Sequence, residues 1–419
     1  MQFFFLSVRG LLSAVFKDLQ GHSLDVGLMP GSSDFYANQK MATLRRISEP
    51  HGTLMGITFG IVGLPNVGKS TVFNAITSAG AMVANYPFCT IEPNVGVVPV
   101  PDPRLNRLSE IYKPEKTTPT TLEFLDIAGL VKGASKGDGL GNQFLSHIRQ
   151  VDAIVHIVRC FDDENVVHVD GTINPARDIE IVETELILKD LDTVERKFAE
   201  AEKKAKVGDK KAKGESEFYA RLRDHLRGGR LSRYYAVGNE EEAHWMHFLY
   251  LLTRKPVMYV CNVREDELQK QNPYVDQVRA IAAKEEAKVI VISAAIDAEV
   301  AELPEEERKG FLQELGLKES GLTQVIREGY DLLHLITFFS VSAKEVHAWT
   351  IPIGTRAQEA AGSIHTDFEK GFIRAEVMAF SDIDRFGSEH AVKEHGLLRV
   401  EGRDYVVQDG DILFIRFNV

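Results

Sequence analysis

Residues 58–70 read Thr-Phe-Gly-Ile-Val-Gly-Leu-Pro-Asn-Val-Gly-Lys-Ser. A short apolar run, Thr58–Val62, leads into the pattern G-x-x-x-x-G-K-S at Gly63–Ser70, and a helix-compatible run, Thr71–Ser78, follows. Strand before and helix after turn a loose pattern into a phosphate-binding loop. The glycines let backbone N–H groups curl around a phosphate, and the helix N-terminus adds the positive end of its dipole. In that frame Lys69 is expected to bridge the β- and γ-phosphates, and the Ser70 hydroxyl to ligate Mg²⁺.

Working outward, apolar runs alternate with helix-length segments, the mark of a mostly parallel α/β sheet between helix layers. The expected strands are Thr58–Val62, Thr121–Leu125, Ala153–Val158, Val257–Cys261 and Val289–Ile292. Other parts of a triphosphate site appear in order. Asp126-Ile127-Ala128-Gly129 follows the second strand and fits DxxG, in which the Asp organises Mg²⁺ through its hydration shell. Thr90, in the loop Asn85–Pro93, is placed to complete the metal shell. Lys132–Gly141 is dense in glycine and costly to order, which suits a segment fixed by the γ-phosphate and released after hydrolysis.

Two positions depart from guanine-specific switch proteins. Leu130 stands where those carry a water-orienting Gln. Asn262-Val263-Arg264-Glu265 stands where they carry N-K-x-D. A carboxylate moved from Asp to the longer Glu no longer meets guanine's N–H groups, so adenine is the expected base. Ser293-Ala294, after the next strand, matches the loop that closes over the base.

Between the third and fourth strands, Ile187, Leu191, Val194, Phe198 and Ala201 repeat at heptad spacing, and Val207-Gly208-Asp209 offers a turn before Phe218 and Leu222. This predicts an inserted antiparallel helical hairpin at about 178–250. Its tip is rich in lysine: Lys203, Lys204, Lys206, Lys210, Lys211 and Lys213. That is a local site for phosphate backbone, or else a solvated coiled-coil end. From 336 to 419 the chain reads as short strands, Ile336–Ser340, Ala348–Ile351, Phe372–Val377 and Ile412–Phe417, around one helix at Arg356–Gly362 opened by Thr355, a compact α+β module.

Composition is ordinary for a globular chain of 419 residues, and a net charge of −12 argues against a protein that coats nucleic acid everywhere. The three cysteines, Cys89, Cys160 and Cys261, form no CxxC pair, so a zinc site or disulfide framework is not expected and a reducing compartment is. No run reaches the ~18 apolar residues of a membrane span. Met1–Phe16 is apolar but lacks the basic start and small-residue cleavage site of a secretory signal. Residues 1–54 are expected to be a poorly ordered extension, and 55–335 the nucleotide-binding domain.

The P-loop, the run Asp126–Leu145 (DIAGLVKGASKGDGLGNQFL), Asn262–Glu265 and Gly362–Val377 (GSIHTDFEKGFIRAEV) together resemble the YchF/Obg-like ATPase family. The resemblance covers Met55 to Val419. It implies an OBG-type P-loop domain that prefers ATP to GTP, an inserted helical hairpin, and a C-terminal TGS domain of β-grasp fold. It implies association with the ribosome, chiefly the large subunit, by a cytoplasmic monomer. By the same resemblance Asn66, Val67, Gly68, Lys69, Ser70 and Thr71 hold the phosphates. Asn262, Val263, Glu265, Ser293 and Ala294 surround the base, and Ser70, Thr90 and Asp126 serve the metal. His168, in Asn165–Val169, is the residue that matches the family's replacement for the missing Gln, whereas His156, inside a strand, reads as a core histidine. Asn66 matches a position that coordinates a monovalent cation in related proteins, which makes K⁺ a second implied cofactor. The ribosomal RNA contacts would come from the hairpin tip and from Lys370, Arg374, Arg399 and Arg403.

Three functions remain open on these residues: an ATPase acting on the ribosome, a guanine-specific assembly GTPase, and an RNA-binding factor that holds nucleotide as a structural ligand.

Overall fold

The computed structural model describes residues 57–81, 94–127, 149, 151–163 and 172–418. The extension 1–54, Thr90, Gly129, Leu130, the glycine-rich 132–141 and His168 lie outside the described residues. The chain opens with β1 (Ile57–Val62) and α1 (Lys69–Ala81), then β2 (Val95–Pro99), α2 (Pro103–Tyr112), β3 (Lys116–Thr118), β4 (Thr121–Asp126) and β5 (Ala153–Arg159). Next come α3 (Pro175–Lys206), α4 (Lys210–Arg227), α5 (Glu240–Phe248), β6 (Val257–Asn262), α6 (Pro273–Glu285), β7 (Lys288–Ile292), α7 (Ala294–Glu302), α8 (Glu305–Glu314) and α9 (Gly321–Leu332). The last part holds β8 (Leu335–Val341), β9 (Glu345–Pro352), α10 (Ala357–Ile364), α11 (Thr366–Lys370), β10 (Phe372–Ala379), α12 (Phe380–Phe386), α13 (Glu389–Glu394), β11 (Arg399–Glu401) and β12 (Asp411–Phe417).

The first sheet has the order β2-β4-β1-β5-β6-β7. The five strands expected from the sequence are all parallel to one another. The sixth, β2, is antiparallel to β4 at the edge. Every residue of β5 and β6 is buried, as fits strands covered on both faces. Phe59 and Phe124 stack with centroids 5.4 Å apart at the centre of this core.

The hairpin forms where the heptad spacing lies. Asn174 caps α3, its side chain accepting from Arg177 N, and Pro175 occupies the first turn. Asp209 caps α4 by accepting from Lys211 N and Ala212 N. Gly208 makes the turn between them at φ 96°, a region that favours glycine. Ile187, Val194 and Ala201 of α3 pack on Phe218 and Leu222 of α4, with Leu191 and Phe198 at the margin. At the base, the buried Asp190 carboxylate accepts from Leu252 N at 2.7 Å, Thr253 N at 2.8 Å and Thr253 Oγ1 at 2.6 Å.

The second sheet has the order β11-β10-β12-β8-β9-β3. One face carries α10, whose Ala357, Ala360 and Ala361 are wholly buried against Phe338, Val377 and Leu413. This helix starts one residue later than expected, at Ala357 rather than Arg356, and Thr355 does not open it: Arg356 is its N-cap. Thr355 Oγ1 instead donates to Pro352 O at 2.7 Å.

The second sheet is not built from residues 335–418 alone. The edge strand β3 pairs parallel with β9, yet it comes from residues 116–118. Helix α2 covers the other face, with Leu105 and Leu108 packed among Phe339, Val346, Met378 and Ile412. Leu105 and Leu108 are three apart on a helix opened by Asp102 and Pro103, so one narrow apolar stripe suffices to dock it. Arg104 adds ion pairs to Asp102 at 2.8 Å and Asp409 at 2.7 Å. The two sheets are thus interleaved in sequence.

Among the described residues no helix is long and apolar enough to cross a membrane.

Candidate phosphate and base cleft

The loop Gly63–Gly68 leaves β1 at the carboxyl end of the first sheet and delivers the chain to α1, which begins at Lys69. Its geometry demands glycine at both ends. A Cβ on Gly63 would strike the carbonyl oxygen of Ile157, and one on Gly68, at φ 98°, would strike Asn262 Nδ2. Asn66 takes the left-handed conformation at φ 61°, which Asn tolerates better than most residues. Val67 is buried, whereas Ser70 and Thr71 are exposed on the first turn of α1. The first turn of a helix therefore lies open beside a loop of close-packed glycines, the arrangement that binds phosphate.

Lys69 is 8% exposed and folds back over the loop. Its Nζ donates to Gly63 O at 2.8 Å and to Leu64 O at 3.0 Å. Burial lowers the pKa of this ammonium, and the charge of Asp126 opposes that shift. Asp126 ends β4, and its Oδ1 is buried with no hydrogen-bond partner among the described residues. Burial raises its carboxyl pKa, against the pull of Lys69. A buried acceptor without a donor is costly unless something else fills the role. Mg²⁺ in phosphate sites takes one or two protein oxygens plus phosphate and water. The orphaned Asp126 oxygen and the exposed Ser70 hydroxyl fit that donor set.

His156 sits in β5, 3% exposed and tilted against Tyr259 at 5.5 Å. Burial, then the charges of Lys69 and Arg233, push its pKa down to about 3, so it is a neutral core histidine near neutral pH.

At the other end, Asn262 closes β6 and joins two loops. Its Nδ2 donates to Val67 O at 3.0 Å, and its Oδ1 accepts from Ala294 N at 3.0 Å. The amide expected to touch the base is thus engaged with the protein on both sides. Val263 is 3% exposed in the core, its N–H donating to Ile292 O at 2.9 Å. Glu265 is exposed on a short 3₁₀ turn, Glu265–Glu267. Ser293 and Ala294 are buried where α7 begins. The structure brings Asn66–Thr71, Asp126, Asn262, Val263, Ser293 and Ala294 to one end of the first sheet, while Thr90 and His168 lie outside the described residues.

Two residues passed over in the sequence also organise this end. Asn272 caps α6 through Tyr274 N and donates to Cys160 O at 2.9 Å. The Asn-Pro pair at 272–273 is a helix-start signal that would have flagged it. Asp297, buried in α7, accepts from Leu322 N at 3.1 Å and so fastens the start of α9. No spacing rule points to it, because its partner lies 25 residues away.

Known proteins resemble this chain along most of its length. A family model described as "50S ribosome-binding GTPase" matches residues 58–198. Another, YchF-GTPase_C, described as a protein of unknown function, matches residues 335–418. The "Ribosome-binding ATPase YchF" of Escherichia coli O157:H7 is 57% identical over 365 residues, which span 87% of this chain and 100% of that protein. The protein of the same description from Bacillus subtilis is 54% identical over 367 residues, again 87% and 100% of the two chains. A solved structure, the Schizosaccharomyces pombe YchF GTPase, superposes with a TM-score of 0.77 at 38% identity, covering 87% of this chain and 99% of that one.

Proposed function

The chain belongs to the YchF family, and from that footing we propose that it is a Mg²⁺-dependent ATPase that prefers ATP to GTP and acts as a nucleotide-dependent switch on the ribosome, chiefly on the large subunit. The observation that carries the chemistry is the unpartnered, buried Asp126 oxygen close enough to the buried Lys69 for each charge to shift the other, beside an exposed helix start. These groups together suit a triphosphate with its metal.

In this reading Lys69 leaves the Gly63 and Leu64 carbonyls and turns to the β- and γ-phosphates. Its charge is worth most there because burial has stripped away water. The amides of Asn66–Thr71 hold the phosphate oxygens. Ser70, Thr90 and Asp126 would hold the metal, which when bound would neutralise phosphate charge. Leu130 cannot orient a water, and His168 is assigned that task. Asn66 is the residue assigned to K⁺. Asn262 acts by tying the phosphate loop to the Ser293–Ala294 loop, with Val263 and Glu265 setting the base preference. The functional divisions are the extension 1–54, the nucleotide domain 55–335 with its hairpin, and the TGS domain 336–419, which borrows 103–118. The protein works as a cytoplasmic monomer. Its RNA contacts are the hairpin-tip lysines and the TGS cations Lys370, Arg374, Arg399 and Arg403. Arg399 also faces Asp411 at 3.3 Å, which makes it the most committed of the four to the fold.

A second reading has one specific support. The solved relative is described as a GTPase, whereas the bacterial relatives are described as ATPases. Equilibrium binding and phosphate release with ATP and GTP, each with and without purified large and small ribosomal subunits, separate the two. The proposal expects ATP preference and stimulation by the large subunit, and a strong preference for GTP would overturn it.

A further inference from the structure

The first sheet ends at β7, and that edge is open. Ile292 O accepts from Val263 N, so the peptide groups of Lys288, Ile290 and Ile292 face β6. By the alternation of a strand, those of Val289 and Val291 face the other way. There, among the described residues, their N–H and C=O groups meet no partner. A groove of about 430 Å³ runs along this edge, with Arg279 of α6 on one wall and Gly321, Gln324 and Glu328 of α9 on the other. Leu268 and Leu317 supply apolar surface within it.

The charge of the groove is negative. It is lined by three carboxylates, Asp297, Glu319 and Glu328, against one cation, Arg279. The neighbouring ion pairs do not reverse that sign. Arg279 is matched by Asp276, while Arg327 and Lys288 match Glu319 and Glu328. Among the described residues, Asp297 has backbone donors alone and no cation against it.

We propose that this groove is a docking site for an extended peptide segment of a partner protein, which adds to β7 as a further strand and places a lysine or arginine opposite Asp297. The open peptide groups of Val289 and Val291 offer the main-chain bonds that such addition uses, and alternate side chains of the guest would meet the groove walls. The negative lining selects a basic peptide and repels a phosphate backbone. Edges left open in this way are ordinarily shielded by charge, by a bulge or by a covering element. Ser293 of the base loop closes one end of the groove, so the two sites adjoin, but strand addition to β7 does not depend on the function proposed for the nucleotide cleft.

The test uses the full chain and a fluorescein-labelled acetylated hexapeptide, Thr-Val-Lys-Val-Thr-Val, followed by fluorescence polarisation. Saturable binding is expected, weakened about tenfold when glutamate replaces the lysine of the probe. N-methylation of alternate peptide nitrogens in the probe should abolish binding. Val289→Pro removes an outward N–H without touching a bond to β6, and Gln324→Trp fills the groove from the helix side. Each should lose at least about tenfold in affinity. Hydrogen exchange at the Val289 and Val291 amides should slow when the probe binds. If Val289→Pro does not fold, Gln324→Trp and the exchange measurement carry the test. Absence of binding at millimolar probe, unchanged affinity in Gln324→Trp, or exchange at both amides unaffected by the probe would each overturn the proposal.

Discussion

At the phosphate end of the cleft, Lys69 is folded onto loop carbonyls and Asp126 keeps a buried oxygen with no partner. At the base end, Asn262 has both sides of its amide engaged, Val263 is packed into the core and Glu265 stands out in solvent. One end holds polar groups waiting for charge, and the other is already satisfied by the protein. The contrast implies that affinity and catalysis come chiefly from the phosphates and metal, and that the base is selected by a smaller difference.

The largest expected effect breaks the phosphate end alone. Lys69→Ala should reduce turnover by about a thousandfold, since it removes a buried cation placed to meet developing negative charge. Folding should survive, because the lysine's present partners are carbonyls that water can serve once the side chain is gone. Single-turnover phosphate release with a thermal melt of the variant checks both halves. If turnover persists, Lys69 is not the catalytic cation; if the unsubstituted protein shows none, nucleotide is only a structural ligand here.

Asp126 should come next. Its carboxyl is held above the ordinary range by burial. The metal needs the carboxylate, so Mg²⁺ binding to the nucleotide-free protein should weaken on acidification at a pH above that of an ordinary aspartate near 3.9. Lys69 is lowered by burial, so it bounds activity on the alkaline side earlier than a free lysine would. Asp126→Asn should weaken Mg²⁺ by about 10–100-fold and remove the acid limb. A Mg²⁺ titration repeated across pH reads both. An acid limb that survives unchanged in the variant would assign it to another group.

Much of this contrast was legible in the sequence and part of it was not. The parallel strands announced themselves as apolar runs, and β1 with Gly63–Ser70 fixed the cleft at their carboxyl ends. Local signals also placed the hairpin turn at Gly208 and the cap at Asp209. The engagement of Asn262 could not be read, because its partners Val67 and Ala294 are brought together only by the sheet. For the same reason β3 could not be placed beside β9, more than two hundred residues on. Three residues such as Lys116–Thr118 carry no period, and what holds them is the strand they meet.

Asn262→Ala turns the comparison to the base end. The Val67 carbonyl and the Ala294 N–H would each lose a buried partner, at a cost of about 1–3 kcal/mol per group. The expected result is a lower melting temperature together with weaker binding of ATP and GTP alike. Such a uniform loss identifies a residue that positions the loops. A loss confined to one base would instead place the amide in contact with it.

The smallest expected effect is the most informative about selectivity. Glu265 stands on an exposed turn, so a shorter side chain there costs the fold little. Glu265→Asp restores the carboxylate length of a guanine-reading motif but not its lysine, since Val263 remains buried in that place. Selectivity arises when buried polar groups of a site are left unpaired by the wrong ligand. An exposed carboxylate can enforce only a fraction of that, so relative affinity for GTP over ATP should rise by about tenfold rather than by orders of magnitude. Competition binding with the two triphosphates measures it. No change at all would mean that the base preference is set by the loop around Ser293 and Ala294, and the contrast between the two ends would then rest on backbone geometry instead of on the Glu265 side chain.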